Sequence, residues 1–198
     1  KLELARNIFS AVLSQLENDA LIEERACVLL AGDIVYDMAH DAPRPERSTG
    51  KLVKGSDMDL VVVVDDLFPK ELMERMDEMI YREKQNVLIT PHLREEMDYV
   101  VKDLARVREQ MGFDTFKRMV ACKILQESTL LFGNQDLFKT IKFMLQEQGI
   151  SEKLVRMEDQ AAIFRRDAEA TLLREDPEKI KDEGLYLFYP TEESEEFE

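Results

Sequence analysis

Apolar residues recur at Leu2, Ile8, Phe9, Val12, Leu13, Leu16 and Leu21, a period that predicts an amphipathic helix over residues 2–24. The pattern then changes. Residues 26–31 and 58–64 are short, continuous apolar runs, the second rich in valine, and each reads as a strand buried on both faces. Between them, 33–40 reads as a short helix. Residues 41–54 read as a loop, because Pro43 and Pro45 break regular structure and Ser48-Thr49-Gly50 is turn chemistry. Pro69 opens a helix over 69–83 with Leu72, Met76, Met79 and Ile80 on one stripe. Residues 86–90 read as a strand stopped by Pro91, and 97–101 as another strand. From Leu104 onward the period is helical. Gly112 breaks it, Asp114 caps a new helix, and Asp136 opens one that stops at Gly149. Ser151 caps a long helix running to Arg174, and Asp176-Pro177 begins a short one. Residues 185–189 read as a late strand or a docking segment.

These elements predict an α/β chain of the α+β kind, with a small mixed or antiparallel sheet flanked by helices and followed by a helical part. The expected division is a catalytic α/β unit over 1–103, a helical region over 104–190 and an acidic tail over 191–198, whose five glutamates leave it frayed.

Composition narrows the function classes. With 44% hydrophobic residues, the 198-residue chain can bury a core. Its formal charge of −15 repels nucleic acid and anionic membranes, so neither is an expected partner. The two cysteines, Cys27 and Cys122, lie in apolar runs and read as buried free thiols. His40 and His92 are the only histidines, which excludes the usual zinc spacings. No stretch approaches a membrane span and no leader is visible, so the expected location is the cytoplasm.

The chemistry centres on Gly55-Ser56-Asp57-Met58-Asp59, which leads into Leu60–Val64. In a strand, residues i and i+2 share a face, so Asp57 and Asp59 project side by side. Two carboxylates that close repel unless a cation lies between them, and a hard ion such as Mg²⁺ takes oxygen ligands. Nearby, Arg44, Arg47, Lys51 and Lys54 form a local cation excess of the kind an anionic substrate needs.

The run Gly-Ser-Asp-Met-Asp-Leu followed by Val61–Val64 resembles the signature strand of the polymerase-β-like nucleotidyltransferase superfamily, including its minimal and aminoglycoside-modifying members. The resemblance implies transfer of a nucleoside monophosphate from a nucleoside triphosphate, ATP first among the candidates, to a hydroxyl of a small molecule or a protein. Two Mg²⁺ ions would be held by Asp57, Asp59 and a third carboxylate on a later strand, best matched by Asp98, with Asp103 as the fallback. It also implies a Gly-Gly/Ser turn after the first strand. Gly32 matches that turn, while Asp33 stands where Ser or Gly is expected. The nucleotide-binding positions implied are Gly32, Asp33, Gly55, Ser56, Lys51 and Lys54. An Asp at the phosphate position repels the triphosphate, and it is also an ordinary helix cap. That departure keeps a second reading open, a catalytically weak or inactive relative acting as a regulatory module with a protein partner, as in a toxin–antitoxin pair.

Overall fold

The computed structural model describes residues 1–16, 18–46 and 49–183. The expected segment at 185–189 and the acidic tail lie outside the described residues, as does Arg47.

Four strands form the central sheet: β1 (Ala26–Ala31), β4 (Met58–Val64), β5 (Met97–Asp103) and β6 (Thr129–Gly133), in the order β5-β4-β1-β6. β1 runs antiparallel to both β4 and β6, whereas β4 and β5 are parallel, so the sheet is mixed. A parallel pair needs a crossover, supplied here by α3 (Lys70–Ile89). The predicted strand at 86–90 is instead the end of this helix. Val87 and Leu88 prolong the buried stripe of Leu72, Met76 and Ile80, and Pro91 holds the preceding Thr90 in an extended conformation that stops the helix.

The predicted helix over 2–24 is two helices, α1 (Leu2–Leu16) and α2 (Asp19–Arg25). Asn18 lies between them, its side-chain amide donating to the Leu16 carbonyl, a local bond that competes with continued helix. The predicted helix over 33–40 shrinks to a single 3₁₀ turn at Gly32–Ile34. The predicted loop over 41–54 contains a small hairpin, β2 (Pro43–Pro45) with β3 (Leu52–Lys54).

Each face of the sheet carries its own core, which is why β1 and the end of β4 show no apolar–polar alternation. One face packs Val28, Leu30, Leu60 and Val62 against α1, α2 and α3. The other packs Cys27, Leu29, Val61 and Val63 against α4 (Leu104–Gln110), α5 (Phe116–Glu127), α6 (Gln135–Glu147) and the start of α7 (Ile150–Arg174). Residues beyond 103 thus share both the sheet, through β6, and its second core. Thr115, not Asp114, caps α5, accepting from the Arg118 N–H. Gly149 in the left-handed region precedes α7, and Ser151 instead donates to Gln126 Oε1 at 2.9 Å. A short α8 (Pro177–Glu183) follows. Both cysteines are buried free thiols, and burial pushes Cys27 up to about 12 and Cys122 to about 11. Among the described residues, no helix is long and apolar enough to cross a membrane.

Candidate functional site

Parallel pairing sets Asp59 of β4 directly beside Asp98 of β5. Asp57 precedes β4 by one residue and shares a face with Asp59. One carboxylate oxygen from each of Asp57, Asp59 and Asp98 lies within 4.8 Å of the other two. Asp103, at the opposite end of β5 beside Val64, instead accepts from the Arg106 N–H and caps α4.

The electrostatics of this cluster are strained. Burial, and then the charges of Asp57, Asp98, Asp33 and Glu96, push the Asp59 carboxyl up to about 7. Glu96 is buried and also raised, chiefly by burial, although Arg44 pulls it the other way. Two cations partly balance the acids. Lys84 of α3 lies 2.7 Å from Asp98, and Arg44 of β2 lies 3.4 Å from Asp57 and 2.6 Å from Glu96. The Arg44–Glu96 contact is an ion pair without hydrogen-bond alignment. Arg44 Nε also donates to the Gly55 carbonyl at 2.7 Å, which fixes the guanidinium over the turn into β4.

The turn after β1 closes on the same point. Gly32 has φ +72°, and a Cβ there would lie 2.1 Å from Asp59 Oδ2, so any side chain at this position would be strained and would push the carboxylate aside. The next residue, Asp33, accepts from Ser56 Oγ at 2.7 Å, and Ser56 Oγ in turn accepts from the His40 N–H. Gly55, at φ +55°, leaves room for the His40 carbonyl, which a Cβ would approach to 1.5 Å. Gly55 and the buried Ser56 therefore tie the turn before β4 to the segment after β1.

The fold gathers Gly32, Asp33, Gly55, Ser56, Asp57, Asp59 and Asp98 into one neighbourhood and leaves two sequence candidates outside it. Lys54 donates from Nζ to the His92 carbonyl, and Lys51 lines a separate surface hollow with Leu88 and Arg94.

Beside Asp59 and Asp98 opens a cleft of about 390 Å³. Lys84, Lys102, Gln110 and Lys117 line it, with Val120, Ala121 and Ile124 of α5 as an apolar wall. Lys102 is buried, donates to Gln110 Oε1 at 2.7 Å, and is pushed down to about 8, mainly by burial. Sequence reasoning assigned none of these residues. Lys102 follows Asp98 by four positions in a strand and so shares its face, a signal that was legible. Lys84 sits on the crossover helix and Gln110 and Lys117 on α4 and α5, whose placement beside β5 depends on tertiary packing and left no mark in the local sequence.

No family model matches the chain, and neither does any curated protein. Among solved structures, it is similar to a mutant of the toxin–antitoxin pair MntA–HpeT, at 14% identity over 80% of this chain and 94% of that one, with a TM-score of 0.36. It is also similar to a re-refined complex of tri-AMPylated Shewanella oneidensis HEPN toxin with MNT antitoxin, at 15% identity over 82% of this chain and 96% of that one, with a TM-score of 0.37. Likeness this loose assigns neither activity nor partner to this chain.

Proposed function

We propose that the chain is a metal-dependent nucleotidyltransferase that moves a nucleoside monophosphate from a nucleoside triphosphate to a hydroxyl acceptor. The observation that carries this reading is the convergence of Asp57, Asp59 and Asp98 to within 4.8 Å at the edge of a lysine-lined cleft. An all-oxygen donor set suits a hard divalent cation, and burial together with the neighbouring carboxylates, which lift Asp59 to about 7, is the penalty on its charge that such a cation relieves. Asp57, Asp59 and Asp98 would hold two Mg²⁺ ions, which when bound supply Lewis acidity at the phosphoryl oxygens and a lowered pKa at the acceptor hydroxyl.

The chain's own groups supply the remainder. Lys84, Lys102 and Lys117 draw the polyphosphate into the cleft, and the wall of Val120, Ala121 and Ile124 receives the flat face of a base. Asp98 lies where it can orient the acceptor hydroxyl or accept its proton. In the transfer, the acceptor oxygen bonds to the α-phosphorus, the bond from that phosphorus to the bridging oxygen breaks, and pyrophosphate leaves. ATP is the first donor to test. The acceptor is a small-molecule or a protein hydroxyl.

A second reading, a regulatory module of weak or no activity, has its own support. Asp33 puts a negative charge beside Asp59 where a phosphate would approach, and Lys84 and Arg44 already neutralise Asp98 and Asp57. Calorimetry separates the two. An enzyme binds an NTP only with Mg²⁺, loses that binding in Asp59→Asn, and loses all transfer in Asp57→Asn. Folded wild type that binds none of the four NTPs favours the regulatory reading.

A further inference from the structure

The 25-residue helix α7 spans about 37 Å, yet only Ile150 and Leu154 at its start are buried. Past Leu154 an apolar stripe continues at Met157, Ala161, Phe164 and Ala168, spaced 3, 4, 3 and 4 residues along one face. Met157 is 42% exposed and Phe164 is 52% exposed, so the rest of the described chain leaves much of this stripe open.

We infer that this face pairs with the same face of a second copy, with the two α7 helices antiparallel. Side-chain size picks the occupant and the direction. In an antiparallel pair centred between Ala161 and Phe164, each large residue meets a small one: Met157 faces Ala168 of the second copy, Ala161 faces Phe164, and the two-fold axis repeats both layers. A parallel pair would instead stack Phe164 on Phe164 and Ala161 on Ala161, alternating crowded layers with voids. Charge agrees. The antiparallel register brings Glu158 beside Arg165 of the second copy twice over, on one flank of the stripe. Glu158, now 2.8 Å from Lys123 of its own chain and half-exposed, would lie between two cations. On the other flank Gln160 meets Asp167, with no like-charge pair within these four layers. The body of each copy buries its own helix only as far as Leu154 and reaches on to Glu158 at one flank through Lys123, which leaves the apolar positions of these four layers to meet. Val155, Ile163 and Leu173 are exposed too but lie off the seam.

Sedimentation equilibrium of the full chain tests this. The wild type should be dimeric at or below about 100 μM. Phe164→Glu, which damages two layers, should raise the dissociation constant about a hundredfold. Ile163→Glu, one residue off the seam, should leave it unchanged. Arg165→Glu should weaken the dimer about threefold to tenfold, and adding Glu158→Arg on the same chain should restore it, a rescue only the antiparallel register allows. A wild type monomeric at every concentration overturns the inference and leaves the face to another protein or to residues 184–198. A dimer indifferent to Phe164→Glu, or one in which the charge swap gives no rescue, overturns it equally.

Discussion

Asp59 stands against the charges of Asp57, Asp98, Asp33 and Glu96 in a half-buried position. Asp59→Asn removes the centre of that repulsion. Without metal the variant should melt at or above the wild-type temperature, by roughly 1 kcal/mol of added stability, while the stabilisation that Mg²⁺ gives the wild type disappears. A variant that melts well below wild type would mean the carboxylate is there for the fold. Gly32→Ala probes the same point from the backbone. Its φ of +72° costs an L-residue about 1–2 kcal/mol, and its Cβ would displace the Asp59 carboxylate. Mg²⁺ affinity should fall at least about tenfold with far-UV dichroism unchanged, and unaltered affinity would sever Gly32 from the site.

At the scale of elements, α6 fastens the end of α5. Lys142 Nζ donates to the carbonyls of Leu125, Gln126 and Ser128 at 2.6–2.8 Å, where the helix dipole favours a cation. Burial pushes this ammonium down to about 8. Lys142→Met should cost about 2 kcal/mol in urea denaturation, since the carbonyls lose a charged donor. Lys102 of β5, whose ammonium donates to Gln110 of α4, gives the pH dependence. Its folded value near 8 lies below the usual lysine value of about 10.4. Below about pH 8 both states hold the proton, and the buried charge costs its full amount. Between about 8 and 10.4 the unfolded chain binds more protons, so this group makes stability rise with pH. Lys102→Met should be relatively more stable near pH 7, and its advantage should shrink as pH climbs through that window. An advantage that stays constant from pH 7 to 10.5 would contradict this assignment.

For the whole molecule, a charge of −15 attracts any divalent cation weakly, so specificity must be shown by contrast. Mg²⁺ at a hundredfold excess over its dissociation constant should stabilise the wild type by about 2.7 kcal/mol, and the Asp57→Asn/Asp59→Asn double variant hardly at all. Equal stabilisation of both would assign the effect to the general surface charge.

Sequence alone determined the two apolar strands, the side-by-side carboxylates of Asp57 and Asp59, and the helices beyond Leu104, because these rest on local periods of 2 and 3.6 residues, but it missed the strand β6 among those helices, whose pairing with β1 is non-local. It misread 86–90, where a short apolar run fits a strand or a helix end equally well, and packing against the sheet decided for helix. It saw a loop at 41–54 because prolines hide a hairpin whose pairing is non-local. Only the tertiary structure placed Asp98 beside Asp59, since parallel register across a 20-residue helix is not written in either strand. The same holds for Lys84 on Asp98, Arg44 over Asp57, and the lysine-lined cleft under α5. Each joins residues that lie far apart in the chain and meet only where the sheet and its two cores bring them together.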